Sequence, residues 1–176
     1  MTSIDTERLR LLPWQLDDYP ALYALTASDR MRTFLGAVRP SPEESFNRLL
    51  RNGGCWHFMG WGPFKAIERE SGEIVGGLGF FRALRGLGED FDPYPEAGWV
   101  VREESWGRGY ATEGMRAIID WFDREHGGGR TVCIISPGNV ASARIAEKLG
   151  YRPFGLAEHE GEEVMRYARE AAPANG

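Results

Sequence analysis

Two strand-like runs, Trp61–Glu68 and Glu73–Phe81, are separated by little more than the turn Ser71-Gly72. Parallel neighbours need a crossover of a dozen residues or more, so this pair must lie antiparallel. A third run, Ala97–Val101, follows a loop rich in Gly, Pro and acidic residues. It leads into Ser105-Trp106-Gly107-Arg108-Gly109-Tyr110-Ala111-Thr112-Glu113 and then into a helical pattern. An antiparallel meander feeding a glycine-rich turn argues against a dinucleotide-binding fold, whose glycine fingerprint opens a parallel βαβ unit. The turn also lacks the Gly-Lys-Ser/Thr ending of a P-loop. Gly76, Gly77 and Gly79 weaken the second run as a regular strand and predict a bulge or a close backbone approach.

The flanking segments complete the order of elements. Thr6–Leu12 reads as a first strand, and Leu16, Tyr19, Leu22, Tyr23 and Thr26 recur at helical spacing. Ser41, Pro42 and Glu44 form a capping box with proline at the first helical position, and Phe46, Leu49 and Leu50 supply an apolar face. Beyond the turn, Ala111, Met115, Ile118, Ile119 and Phe122 share one helix face, which the glycines at 127–129 end. Thr131–Ile135 is a short central strand. Asn139 caps a last helix with Val140, Ala143, Ala146 and Leu149 on its apolar side, and Gly150 stops it. Tyr151–Leu156 and Val164–Ala168 form a closing hairpin. The order β-α-α-β-β-β-α-β-α-β-β predicts an α+β fold: a single mixed, mostly antiparallel central sheet flanked by helices. Residues 1–170 are expected to form one domain, with 171–176 a frayed tail.

The turn carries the chemistry. At a helix N-terminus several N–H groups lack intrahelical acceptors and add to the positive end of the helix dipole. Gly107, Gly109 and the small Ala111 let an anion approach the backbone, and Arg108 adds a charge. Glycine spacing alone fits a tight turn without a ligand equally well.

Charge and composition narrow the partners. The net charge of −5 and the lack of any Lys/Arg run exclude a nucleic-acid partner. His57, His126 and His159 form no metal-ligand spacing, so no metal is expected. Cys55 and Cys133 lie in apolar stretches and read as buried free thiols of a reducing compartment. The first residues lack the apolar core of a signal peptide, and no apolar run is long enough to cross a bilayer. A cytoplasmic location without membrane attachment is expected.

Two segments resemble the GNAT superfamily of acyl-CoA-dependent N-acetyltransferases, in a branch similar to the RimJ/RimL ribosomal-protein N-acetyltransferases. Trp106-Gly107-Arg108-Gly109-Tyr110-Ala111 is similar to the family's Gln/Arg-x-x-Gly-x-Gly/Ala signature, with Trp at the first position. Asn139, Ser142, Glu147, Lys148, Leu149, Gly150 and Tyr151 are similar to the branch's Asn-x-x-Ser-x-x-x-x-Glu-Lys-Leu-Gly-Phe segment. The resemblance covers essentially the whole chain. It implies acetyl-CoA as co-substrate, without a metal, and transfer of the acetyl group to a primary amine by direct attack on the thioester.

It further implies that coenzyme A lies in a V-shaped gap between neighbouring strands. Its pantetheine would follow Trp99, Val100 and Val101, and its pyrophosphate would sit on the amides of Arg108, Gly109, Tyr110, Ala111 and Thr112. Asn139 and Ser142 would meet the pantetheine near the thioester, and Arg144 the nucleotide. Glu96 is the expected base, and a backbone N–H near Val100 the expected polarising group. The family's leaving-group tyrosine falls at Ala146 here, which leaves Tyr151 and Ser142 as substitutes. Glu89, Asp90 and Asp92 crowd one loop, and Glu158, Glu160, Glu162 and Glu163 the final turn. Two acidic rims favour a cationic acceptor, either a protein N-terminus or a small cationic amine. Trp56, Trp61, Phe91 and Tyr94 either wall the acceptor pocket or belong to the core. The missing tyrosine keeps open a non-catalytic acyl-CoA-binding or sensing module, and the chain is expected to act as a monomer or homodimer.

Overall fold

The computed structural model describes residues 2–28 and 39–171. From the expected tail, residues 172–176 lie outside them. The strands are β1 (Ile4–Asp5), β2 (Leu9–Pro13), β3 (Pro63–Glu68), β4 (Ile74–Phe81), β5 (Glu96–Val101), β6 (Thr131–Ile135), β7 (Arg152–His159) and β8 (Glu162–Arg169). The α-helices among the described residues are α1 (Tyr19–Ala27), α2 (Pro42–Met59), α3 (Tyr110–His126) and α4 (Val140–Lys148). All eight strands join one sheet in the order β1-β2-β3-β4-β5-β6-β8-β7. Every neighbouring pair is antiparallel except β5–β6. The mixed, mostly antiparallel sheet with flanking helices is the expected fold class, with β1 as an addition too short to read from sequence.

Local chemistry explains the elements that frame the centre. The Ser41 hydroxyl accepts from Glu44 N–H at 3.1 Å, and Glu44 accepts from Ser41 N–H at 2.7 Å. This reciprocal box starts α2, and Gly60 at φ +75° ends it. The expected apolar face of α2 is only partly right: Leu49 is buried, whereas Phe46 and Leu50 are exposed. Burial instead follows Ser45, Leu49, Asn52 and Cys55. α3 buries the whole expected stripe from Ala111 to Phe122. In α4, Ala146 and Leu149 are buried, but Val140 is exposed.

The β4 glycines do both things expected of them. The β3–β4 register slips by one residue at Val75, a bulge. A Cβ on Gly76 would lie 2.6 Å from Val100 O, so β4 and β5 approach there more closely than a side chain allows. Ala97 packs with α3 in the main core, and Trp99 and Val101 pack against that core. Val100 packs with Trp14, Leu22, Leu25 and Leu49 on the α1/α2 side. β5 thus separates two faces of the protein. Cys55 and Cys133 are buried free thiols. No described helix is long and apolar enough to cross a membrane.

Candidate active site

The sheet opens where β5 meets β6. These strands share a single parallel pair, Glu96 with Val132. Val132 N–H donates to Pro95 C=O at 3.0 Å, and the parallel ladder returns Ala97 N–H to Val132 C=O. Beyond that point the strands part. On the other edge of β5, Arg102 N–H donates to Val75 C=O at 2.8 Å. This fixes the parity: Gly98 and Val100 turn their peptide groups to β4, while Ala97, Trp99 and Val101 turn theirs to the gap. The Trp106 indole donates to Val101 C=O at 2.7 Å. What faces the gap is therefore Ala97 C=O, Trp99 N–H and C=O, and Val101 N–H. Of Trp99, Val100 and Val101, Val100 turns its own N–H into the β4 ladder, so an N–H near Val100 that faces the gap is that of Trp99 or Val101.

The glycine-rich turn lies immediately past β5. Gly107 (φ +73°) and Gly109 (φ +79°) both occupy the left-handed region that side chains disfavour. Gly109 is the N-cap of α3, and the first helical bond runs from Glu113 N–H to Gly109 C=O at 3.0 Å. The N–H groups of Tyr110, Ala111 and Thr112 therefore have no intrahelical acceptor. The Arg108 side chain is not where the sequence suggests. Its Nη1 lies 2.9 Å from Glu68, and its guanidinium stacks 4.8 Å from the Tyr110 ring centre. Arg8 stacks on the same ring at 4.7 Å and donates to Arg108 C=O at 2.8 Å. The Tyr110 hydroxyl binds Glu68, which raises the tyrosine above its ordinary value and lowers the carboxyl. Beside this cluster is a cavity of about 460 Å³ lined by Glu7, Arg8, Glu68, Arg69, Glu70, Arg108 and Tyr110. Its three arginines are matched by three glutamates, so it carries no surplus charge for an anion.

Across the gap, the Asn139 Oδ1 accepts from Ser142 N–H at 3.1 Å and caps α4. The Asn139 amide N–H₂ and the Ser142 hydroxyl have no protein partner among the described residues. Both residues are half-buried, and Arg144 is exposed. Ala146 is fully buried, so no phenol stands on α4. Tyr151 is also fully buried, with its hydroxyl 2.8 Å from Thr131 Oγ1. Burial pushes that hydroxyl far above its ordinary value. Tyr151 is a core residue and drops out as a proton donor.

Glu96 sits where the gap closes, 4% exposed, on the α1/α2 face of β5. Its two oxygens accept from Arg85 Nε at 2.9 and 2.8 Å. Arg85 Nη1 lies 2.7 Å from His159 Nε2. A guanidinium can only donate, so this His159 nitrogen accepts and its proton rests on Nδ1. Leu84, just before Arg85, has φ +51°. Sequence reading missed Arg85 and His159, which lie in a loop and at the end of β7 with no motif to mark them.

One acidic segment is partly neutralised, whereas Glu158, Glu160, Glu162 and Glu163 of the other are exposed. Asp90 pairs with Arg166 at 2.9 Å, and Asp92 accepts from Leu87 N–H at 3.2 Å. Trp61 and Phe91 are buried, and Trp56 packs edge-on to Phe64, so these aromatics serve the core. Tyr94 packs against the small cluster of Leu87, Phe91 and Val132.

Comparison with known proteins gives a consistent result. The family model of the acetyltransferase (GNAT) domain matches residues 8–152. A Bordetella pertussis protein described as a GNAT-family acetyltransferase is 31% identical, covering 96% of this chain and 99% of its own, with a TM-score of 0.87. An acetyltransferase from Agrobacterium tumefaciens is also 31% identical, covering 97% and 95%, with a TM-score of 0.82. The ribosomal-protein N-acetyltransferase RimL, solved with coenzyme A, shares the fold at 19% identity and a TM-score of 0.76, covering 96% and 98%.

Proposed function

The chain belongs to the GNAT acetyltransferase family, and from that premise we propose that it carries the acetyl group of acetyl-CoA directly to a primary amine at the closed end of the β5–β6 gap. One observation carries this reading: β5 and β6 pair once and then part, leaving Trp99 and Val101 donors beside the open N-terminus of α3. That arrangement suits an extended molecule with amide groups in its middle and phosphates at one end. β5 spans roughly 20 Å at about 3.3 Å per residue. An arm lying along it from the turn would bring its far end to Glu96.

Each chemical requirement has a candidate group. The amides of Arg108 to Thr112 hold the pyrophosphate. Trp99 and Val101 N–H pair with the pantetheine, and one of them polarises the thioester carbonyl. Glu96 takes the ammonium proton, directly or through a water. The amine nitrogen then bonds to the carbonyl carbon, the C–S bond breaks as its electron pair leaves on sulfur, and the nitrogen's second proton passes to the departing thiolate or to water. Asn139 N–H₂, the Ser142 hydroxyl and the N-terminus of α4 stabilise that thiolate, which a helix N-terminus favours. Arg144 is exposed and can meet only the nucleotide end. The fold shared with RimL adds protein N-termini to the acceptors for testing, beside small amines.

Thiol release from acetyl-CoA, measured against a panel of amines and short peptides, tests the reading. We expect release that depends on the amine, with the acetyl group recovered on nitrogen. Coenzyme A binding without amine-dependent release would instead favour a sensing module.

A further inference from the structure

On the reading above, we infer that the acceptor is an amine bearing a carboxylate, and that Arg48 and Arg51 of α2 hold that carboxylate beside Glu96. The inference starts from a crowd of cations, in which Arg48 and Arg85 are half-buried and Arg51 is exposed. Arg48 and Arg51 are three residues apart and so share one face of α2. The Arg51 guanidinium lies 4.8 Å from the Phe81 ring centre, and that of Arg85 lies 5.9 Å from the same ring. Phe81 stands opposite Glu96 in the β4–β5 ladder. Three guanidinium groups therefore gather at the closed end of the gap.

Their counter-charges lie at a distance: Glu44, one turn before Arg48 on α2, and Glu160 act on Arg48 without an ion-pair contact. Glu96 is committed to Arg85 through both oxygens. His159 accepts from Arg85 and adds no negative charge. Glu160 is nearby, but its side chain is 85% exposed, and its 3.8 Å approach to the accepting His159 nitrogen is no ion pair. Among the described residues no carboxylate lies within ion-pair distance of Arg48 or Arg51. Burial, reinforced by the neighbouring arginines, lowers both guanidinium groups from their ordinary value. Elsewhere the chain pairs such groups closely, as with Arg166–Asp90 and Arg169–Asp123. The loop that delivers Arg85 also carries Leu84 in the left-handed region. Positive charge without a close partner at one place suits a bound anion. A carboxylate on the acceptor would take a charge-assisted bond from each free arginine.

The acidic loop before β5 does not oppose this. Asp90 is neutralised by Arg166, and Asp92 is bonded to the backbone of its own loop.

The experiment compares acceptors matched except for charge. One arm uses peptides beginning Ser-Asp, Ser-Asn and Ser-Lys; the other uses β-alanine and its amide, with rates corrected for each amine's own pKa. The expected result is a kcat/KM about 10-fold or more higher for the carboxylate member in at least one arm, the scale of one charge-assisted bond. The arm that shows it tells a peptide from a small molecule. Arg51→Gln and Arg48→Gln should each pull that ratio toward unity, with Arg51→Lys keeping part of it. Equal rates across the series, or a preference for Ser-Lys, would overturn the inference and leave amine acetylation standing. If no amine is acetylated, the reading it rests on fails and takes it along.

Discussion

Gly109→Val should bind coenzyme A about 10²-fold more weakly than the parent chain, or worse, when both are measured by calorimetry. Gly109 caps α3 at φ +79°, where a β-branched residue is strained by about 1–2 kcal/mol. Space on the protein side is not the obstacle, since a Cβ there would meet only the end of Arg8 at 3.5 Å. The loss comes from the backbone. Relieving the strain rotates the peptide groups that aim Tyr110, Ala111 and Thr112 N–H outward. Each amide-to-phosphate bond is charge-assisted, with a net contribution of about 1.5–3 kcal/mol, so misaligning two accounts for the expected effect. A thermal scan separates this from unfolding, because strain of that size shifts Tm by only a few degrees in a domain of this length. Gly107→Ala, at φ +73° with nothing within 4 Å, is the milder companion variant. Unchanged affinity in a folded Gly109→Val protein would remove the turn from the cofactor site.

Glu96→Gln should lower kcat at neutral pH by about 10²-fold. The variant keeps the shape and one acceptor for Arg85 but loses the basic lone pairs. It also sets an N–H₂ against the guanidinium, so Arg85 could shift, and a merely structural role must be told apart. Acceptor basicity does this. An amine that is already neutral at the assay pH has no proton to lose before it attacks, so the deficit should shrink sharply with weakly basic amines such as hydroxylamine. If Glu96 only anchors Arg85, the deficit will be the same for every amine, and the pH–rate profile will keep its acidic limb.

What could be read from sequence follows the physics of each feature. Caps, turns and stripes act over a few residues, so the capping box at Ser41 and Glu44, the buried stripe of α3 and the antiparallel β3–β4 pair were legible. The glycine clash at Gly76 with Val100 O was legible as a type of feature, though not as a contact. The parity of β5 was not. The bond from Arg102 N–H to Val75 C=O and the single pair at Glu96 decide that Trp99 and Val101 face the gap while Val100 does not. The charge of the acceptor cleft is hard to read from sequence for a related reason. Sequence counts carboxylates but not their partners, and Asp90 is cancelled by Arg166, 76 residues away. Arg48, Arg51, Arg85 and His159 come from three separated segments and meet only in three dimensions. Arg108 and Tyr151 each carry the right residue type for chemistry, but their nearest partners are Glu68 and Thr131.

The central claim is that coenzyme A lies along the open edge of β5. Amide hydrogen exchange of β5, resolved by residue and recorded with and without coenzyme A, tests it most directly. The Trp99 and Val101 amides face the gap and should slow by about 10-fold or more on binding, as open strand-edge groups become bonded. The Gly98 and Val100 amides, already in the β4 ladder, should change far less. An alternating pattern of protection along the strand is the expected result; uniform protection, or none at Trp99 and Val101 in a protein that binds coenzyme A, would contradict the account.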